Sequence, residues 1–128
     1  IAYKLCAYAG KGRLKTSTGK PVLPGRKQVF RQERGGCAVG DIIARADEKG
    51  PGRPLLERVM QQGVRTDAGR VSLEQAREHA ATELSRLPEA VRALPPAEQP
   101  YPVEVSDALR HYQEEVRQRI LAKEGTGS

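Results

Sequence analysis

Val71-Ser72-Leu73-Glu74-Gln75-Ala76-Arg77-Glu78-His79-Ala80-Ala81-Thr82-Glu83-Leu84-Ser85-Arg86-Leu87-Pro88 is the stretch on which the fold turns. Ser72-Leu73-Glu74-Gln75 is a capping-box pattern: the Ser hydroxyl accepts from a free backbone N–H, and the Gln side chain reaches back. Leu73, Ala76, Ala80, Leu84 and Leu87 then recur at steps of three and four, which makes one apolar stripe on a helix ended by Pro88. Residues 88–94 add a short helical turn, and 95–102 form an extended linker. Ser106 is a second N-cap, with Asp107 favourable in the first turn. Leu109, Tyr112, Val116 and Ile120 are the stripe of a second helix, and from Gly125 the chain is expected to fray.

Before Val71 the period drops to two. Residues 1–8 alternate, with Ile1, Tyr3, Leu5 and Ala7 on one side, and read as a strand. Gly10-Lys11-Gly12 is a turn, and 13–16 a short return strand. Breakers at Thr18-Gly19-Lys20-Pro21 and Leu23-Pro24-Gly25 make 17–25 a loop. Residues 26–32 resume as a strand, with Lys27, Val29 and Arg31 opposed to Gln28 and Phe30. Gly35-Gly36 turns the chain, and 42–46 is a fourth strand entered through Gly40-Asp41, Asp41 being a turn former. Residues 47–54, with Gly50-Pro51-Gly52, form a loop, and 55–61 is a fifth strand. Strands first and two helices after is an α+β pattern, a β-rich segment over 1–62 and a helical one over 63–128, together one partial domain.

The charge is as uneven as the periodicity. Residues 1–36 hold nine cations and one acid, a net +8, whereas 37–128 hold thirteen cations and fifteen acids, a net −2. Cations this crowded repel one another and call for an anion opposite them. The core is thin, with one Phe, no Trp and one Met, although aromatics usually supply much of a small domain's burial. Ile1-Ala2-Tyr3-Lys4-Leu5, with no initiator Met, reads as a strand already under way, hence as an internal cut in a longer polypeptide. No apolar run approaches the roughly 18 residues of a membrane span, so no membrane partner is expected. Cys6 and Cys37 are expected to stay as buried thiols rather than pair.

Several chemistries are excluded by spacing. A P-loop needs Gly five positions before Gly19 and Ser or Thr after Lys20, and those places hold Leu14 and Pro21. His79 and His111 stand on separate helices with no His or Cys at ligand spacing, so no metal site is expected. No nucleophile has its base, so no catalytic residue is assigned in this chain. Basic strands can track a nucleic acid, but Tyr3, Tyr8 and Phe30 are few aromatics for stacking single-stranded bases. A small basic α+β module binding RNA or another polyanion stands as the alternative reading. A purely structural role, the cations meeting acids of another segment or subunit, is a third.

One resemblance narrows the choice. It is carried by Tyr3-Lys4-Leu5, Lys15, Lys20 and Leu23-Pro24-Gly25-Arg26-Lys27-Gln28-Val29-Phe30-Arg31, then by Gly40-Asp41-Ile42-Ile43-Ala44, Pro54-Leu55-Leu56-Glu57 and Val59-Met60. The helix from Ser72 and Tyr101-Pro102-Val103-Glu104-Val105-Ser106 complete it. In that order and spacing the chain resembles the C-terminal part of a nicotinate phosphoribosyltransferase, from Ile1 to about Ile120. The resemblance implies an irregular α/β barrel that carries the chemistry and an open β-sandwich, of which this chain would supply strands and C-terminal helices while lacking the barrel. It implies nicotinate and phosphoribosyl pyrophosphate as substrates, ATP with Mg hydrolysed in a coupled step, a cytoplasmic homodimer, and inactivity of this chain by itself. No cofactor is expected on the chain alone. By the same likeness Lys15 and Lys20, with Arg26 and Lys27 of the adjoining turn, face phosphate.

Overall fold

The computed structural model describes residues 4–15, 22–95 and 98–124. The chain divides into two compact units, and each is described by itself. The first gathers Ile1–Gln28, Ile43–Lys49 and Val105–Ser128; the second is Val29–Ile42 with Gly50–Glu104. The units are interleaved along the sequence rather than successive.

In the first unit, strands β1 (Ala7–Tyr8) and β2 (Lys11–Gly12) form a hairpin in the register Ala7↔Gly12 and Tyr8↔Lys11. Its turn is Ala9-Gly10, with φ of 48° and 71°, the doubly positive backbone that matches strand twist. The expected return strand at 13–16 is therefore displaced towards the N-terminus, and Lys15 makes only an isolated bridge to Val22. The opening strand is confined to β1 among the described residues, and positions 1–3 of that expectation lie outside them.

The core of this unit is Val22, Pro24 and Ala44 with Leu109 and Val116, the last two fully buried. Leu109 and Val116 sit two turns apart on the long helix that spans Asp107–Glu124, as its apolar spacing predicts. Ser106 caps it: the hydroxyl accepts from the Leu109 N–H at 3.1 Å and donates to Glu48 at 2.9 Å.

The second unit is built on a sheet. Strands β3 (Lys27–Arg34) and β4 (Cys37–Arg45) are joined by the Gly35-Gly36 turn, and with β5 (Arg53–Pro54) and a later strand they make a four-stranded sheet. β5 runs antiparallel to β3, pairing Phe30 with Pro54 and Arg31 with Arg53. A hairpin of β6 (Met60–Gln61) and β7 (Val64–Arg65) stands apart from this sheet. The later strand, β8 (Val103–Val105), closes the order β5-β3-β4-β8. The Asp41 N–H donates to Pro102 O and the Ser106 N–H to Ile43 O. Both strands thus advance together, and β8 is parallel to β4.

Two expectations are corrected here. The fourth strand starts at Cys37, so Gly40-Asp41 lies inside it and Asp41 is no turn former. The fifth strand dissolves: 55–59 carry no strand, and Met60–Gln61 fold back at Gln62-Gly63, where Gln62 takes a φ of 49°. Strand β8 begins directly after the expected 95–102 linker, at residues to which the sequence pattern assigns no element. The α+β class stands, with a mixed sheet: antiparallel strands, to which β8 adds in parallel just before the last helix.

Helix α1 (Leu73–Ser85) starts where the capping box places it: Ser72 Oγ accepts from Gln75 N at 3.2 Å, and Gln75 Oε1 accepts from Ser72 N at 2.8 Å. A four-residue helix, α2 (Glu89–Arg92), follows, and the long helix over Asp107–Glu124 is α3. No residue of α1 is buried, and Leu73 and Leu84 are exposed. The stripe read from the sequence lies largely open: Leu73, Ala76, Ala80 and Leu84 are exposed, and Leu87, just past the helix, is half-buried. With little packing to hold it, α1 depends on its cap. Ser72→Ala is expected to cost about 1 kcal/mol and to speed amide hydrogen exchange in the first turn of α1 about five-fold.

Candidate functional site

The cations of the N-terminal quarter divide in the structure. The Cys6 carbonyl accepts from the N–H of Arg13 at 2.9 Å and of Gly25 at 2.7 Å, which ties the hairpin to the Pro24-Gly25 turn. Beside this junction lies a cavity of about 510 Å³ lined by Lys4, Leu5, Tyr8, Arg13, Leu14, Lys15 and Val22. Three cations line it together with the apolar Leu5, Leu14 and Val22, and none of the described lining residues is a carboxylate. The Arg13 guanidinium lies 5.9 Å from the centre of the Tyr8 ring, a cation–π distance.

Of the four residues expected to face phosphate, the structure puts Lys15 in this cavity. Lys20 lies outside the described residues. Arg26 is exposed and is not among the lining residues, while its carbonyl accepts from Ala46 N. Lys27 turns inwards: its ammonium donates to Leu23 O at 2.8 Å and Gly25 O at 2.6 Å. It staples the turn.

Lys4 and Arg13 join Lys15 instead. The signal was in the register. Once the turn is placed at Ala9-Gly10, counting outward from Ala7↔Gly12 sets Lys4 opposite Lys15. Arg13 and Lys15, two apart in an extended segment, share a side. A turn read at Gly10-Lys11-Gly12 hides both relations.

The second unit holds a different cluster. Arg31 donates from Nε and Nη2 to both oxygens of Asp41, at 2.9 and 2.8 Å, and the Tyr101 hydroxyl donates to Asp41 at 3.1 Å. Arg53 Nη2 bridges Glu33 at 2.9 Å and Glu83 at 2.8 Å. The hydrogen bond from Arg31 holds the Asp41 carboxyl below its ordinary range, against the desolvation that pushes it up. Desolvation, then the bond to Asp41, raises Tyr101, and the bond from Arg53 lowers Glu83. A cavity of about 500 Å³ opens here beside Arg31, Arg53, Glu57, His79 and Glu83. Its arginines already face carboxylates of the same unit, Arg31 at 4.0 Å and Arg53 at 2.8 Å from Glu83. Asp41, gripped as a carboxylate, is no general base.

Among the described residues, no group of three or more His, Cys, Asp or Glu could hold a metal ion. No helix there is long and apolar enough to cross a membrane. Cys6 and Cys37 are free and half-buried.

Comparison with known proteins bears on what the basic cavity serves. The profile of the nicotinate phosphoribosyltransferase C-terminal domain matches residues 51–113. A nicotinate phosphoribosyltransferase of Mycobacterium tuberculosis, found in two strains, is 43% identical over 109 residues, which is 85% of this chain and 24% of that relative. This chain belongs to the nicotinate phosphoribosyltransferase family. Its fold agrees: the crystal structure of human nicotinic acid phosphoribosyltransferase superposes with a TM-score of 0.69 at 26% identity, over 91% of this chain and 26% of the human one. The chain thus spans about a quarter of the length of these nicotinate phosphoribosyltransferases. The resemblance read from Leu23–Arg31 and Tyr101–Ser106 is borne out, as is its placement in the family's C-terminal part.

Proposed function

We propose that the protein carrying this chain joins nicotinate to phosphoribosyl pyrophosphate, forming nicotinate mononucleotide and releasing pyrophosphate, with ATP hydrolysis coupled to the step. In this reading the catalytic groups lie outside the chain, and ATP with Mg is a substrate of the whole enzyme, a cytoplasmic homodimer. The chain's part is electrostatic. As the bond from ribose to pyrophosphate breaks, negative charge grows on the leaving group, and fixed cations lower that state. The observation that carries the reading is the cavity that gathers Lys4, Arg13 and Lys15, with no acid among its described lining residues, in a member of this family. Arg26 and, beyond the described residues, Lys20 would add to the field around it, while Lys27 would act through the turn it staples.

The test uses the full-length enzyme and inorganic pyrophosphate. Lys15→Ala should weaken pyrophosphate binding about ten-fold at low salt, the worth of one charge-assisted hydrogen bond. The gap should shrink as salt rises. An affinity unchanged at both low and high salt would remove the phosphate role. A single-stranded RNA oligonucleotide that binds more tightly than pyrophosphate, with a steep salt slope, would favour the polyanion alternative.

A further inference from the structure

The backbone under the basic cavity is held from the far end of the chain. Gly12 is bound at both its polar groups: its N–H donates to the Tyr112 hydroxyl at 3.2 Å, and its carbonyl accepts from Arg119 Nη2 at 2.8 Å. Tyr112 and Arg119 lie seven residues apart on α3, two turns along one face. The Tyr112 ring occupies the space that a side chain on Gly12 would need, and it comes within 2.9 Å of where a Cβ on Gly25 would stand. The Arg45 guanidinium lies 5.0 Å from the ring's centre. One aromatic side chain therefore touches the hairpin at Gly12 and the turn at Gly25, and only glycine at both places lets it in.

Arg13 follows Gly12 directly, and Lys15 lies two residues on. A shift of the Gly12 peptide carries both cations with it and changes their spacing from Lys4. We propose that Tyr112 and Arg119 are positioning residues for the phosphate-facing cavity, fixing Arg13 and Lys15 through the Gly12 peptide. This rests on the phosphate reading above. Neither residue reaches the ligand, and their effect passes through the backbone.

The experiment uses the full-length enzyme, with inorganic pyrophosphate as the probe. Tyr112→Phe keeps the ring and removes the acceptor of the Gly12 N–H. Its dissociation constant for pyrophosphate should rise roughly three- to ten-fold, the size of one neutral hydrogen bond, and the KM for the phosphoribosyl donor should rise with it. Arg119→Gln should act in the same direction. In an Arg13→Ala, Lys15→Ala background, Tyr112→Phe should add nothing further, since residues that act through one another are not additive. A lower thermal midpoint with unchanged pyrophosphate affinity in both Tyr112→Phe and Arg119→Gln would make them merely structural and overturn the inference. So would a full additional loss in the double-alanine background. If the double-alanine protein itself binds pyrophosphate like the wild type, the phosphate reading falls and takes the inference with it. If that protein binds weakly while Tyr112→Phe binds normally, the positioning role alone falls.

Discussion

Gly52→Ala should destabilise the protein by about 3 kcal/mol or more, combining backbone strain with a contact that cannot relax. Gly52 has a φ of +102°, outside what an L side chain adopts readily. A Cβ there would run into the Arg31 carbonyl oxygen, with the carbonyl carbon at 2.8 Å and Gln32 N at 3.2 Å. Those are main-chain atoms of a central strand, which cannot swing aside as the end of a flexible side chain can. The loss should spread, because Arg53 is paired with Arg31 in the sheet and grips Glu33 and Glu83. Gly63→Ala is the control: its φ is +79° but nothing lies within 4 Å of the added carbon, so it should show only the strain, about 1 kcal/mol. Urea midpoints of the two variants separate the terms, and equal losses would rule out the main-chain clash.

The second large effect is at Asp41. Its carboxylate and the Arg31 side chain are only 12% and 14% exposed. Asp41→Asn keeps the shape but leaves the Arg31 guanidinium with only the longer Glu83 contact at 4.0 Å, at a cost of about 2 kcal/mol near neutral pH. The pH dependence has a definite sign. The folded pKa is lowered from 3.8, so the folded state sheds this proton more readily than the unfolded one. The stabilisation is present in full above the ordinary value and is lost as pH falls through the lowered one. The urea-midpoint gap between wild type and Asp41→Asn should therefore begin to narrow below about pH 4 and go on narrowing as pH falls further. A gap that stays constant down to about pH 2.5 would mean that the carboxylate's charge is not what stabilises the fold.

Legibility in the sequence followed the physics of each element. Helices α1 and α3 could be read because caps and apolar steps are local: Ser72 with Gln75, and Ser106 with Leu109 and Val116, stand where the pattern put them. The hairpins were harder. Ala9 and Gln62 take positive φ without being turn residues by type, so one turn was set late and the other was missed. The charge asymmetry drew attention to the first 36 residues, and the resemblance named the family. Which cations share a cavity depended on register: Lys15 lines it beside Lys4 and Arg13, which no local pattern pairs with it, while the Lys27 ammonium binds the turn's carbonyls. The Asp41–Arg31–Tyr101 cluster joins residues up to 60 positions apart, beyond any local pattern.

The partners of Gly12 also set an order of assembly. Tyr112 and Arg119 follow it by 100 and 107 residues. At ordinary rates of translation that is a delay on the order of 5 to 20 s. For that interval the nascent hairpin has left the ribosome with its cations crowded and its backing helix not yet made. The residues of the second unit from Val29 to Ile42 and from Gly50 to Glu104 all emerge before that helix is complete. A premature stop after residue 112 and ahead of residue 119 would thus spare the strands of the sheet and still leave the Gly12 peptide half held.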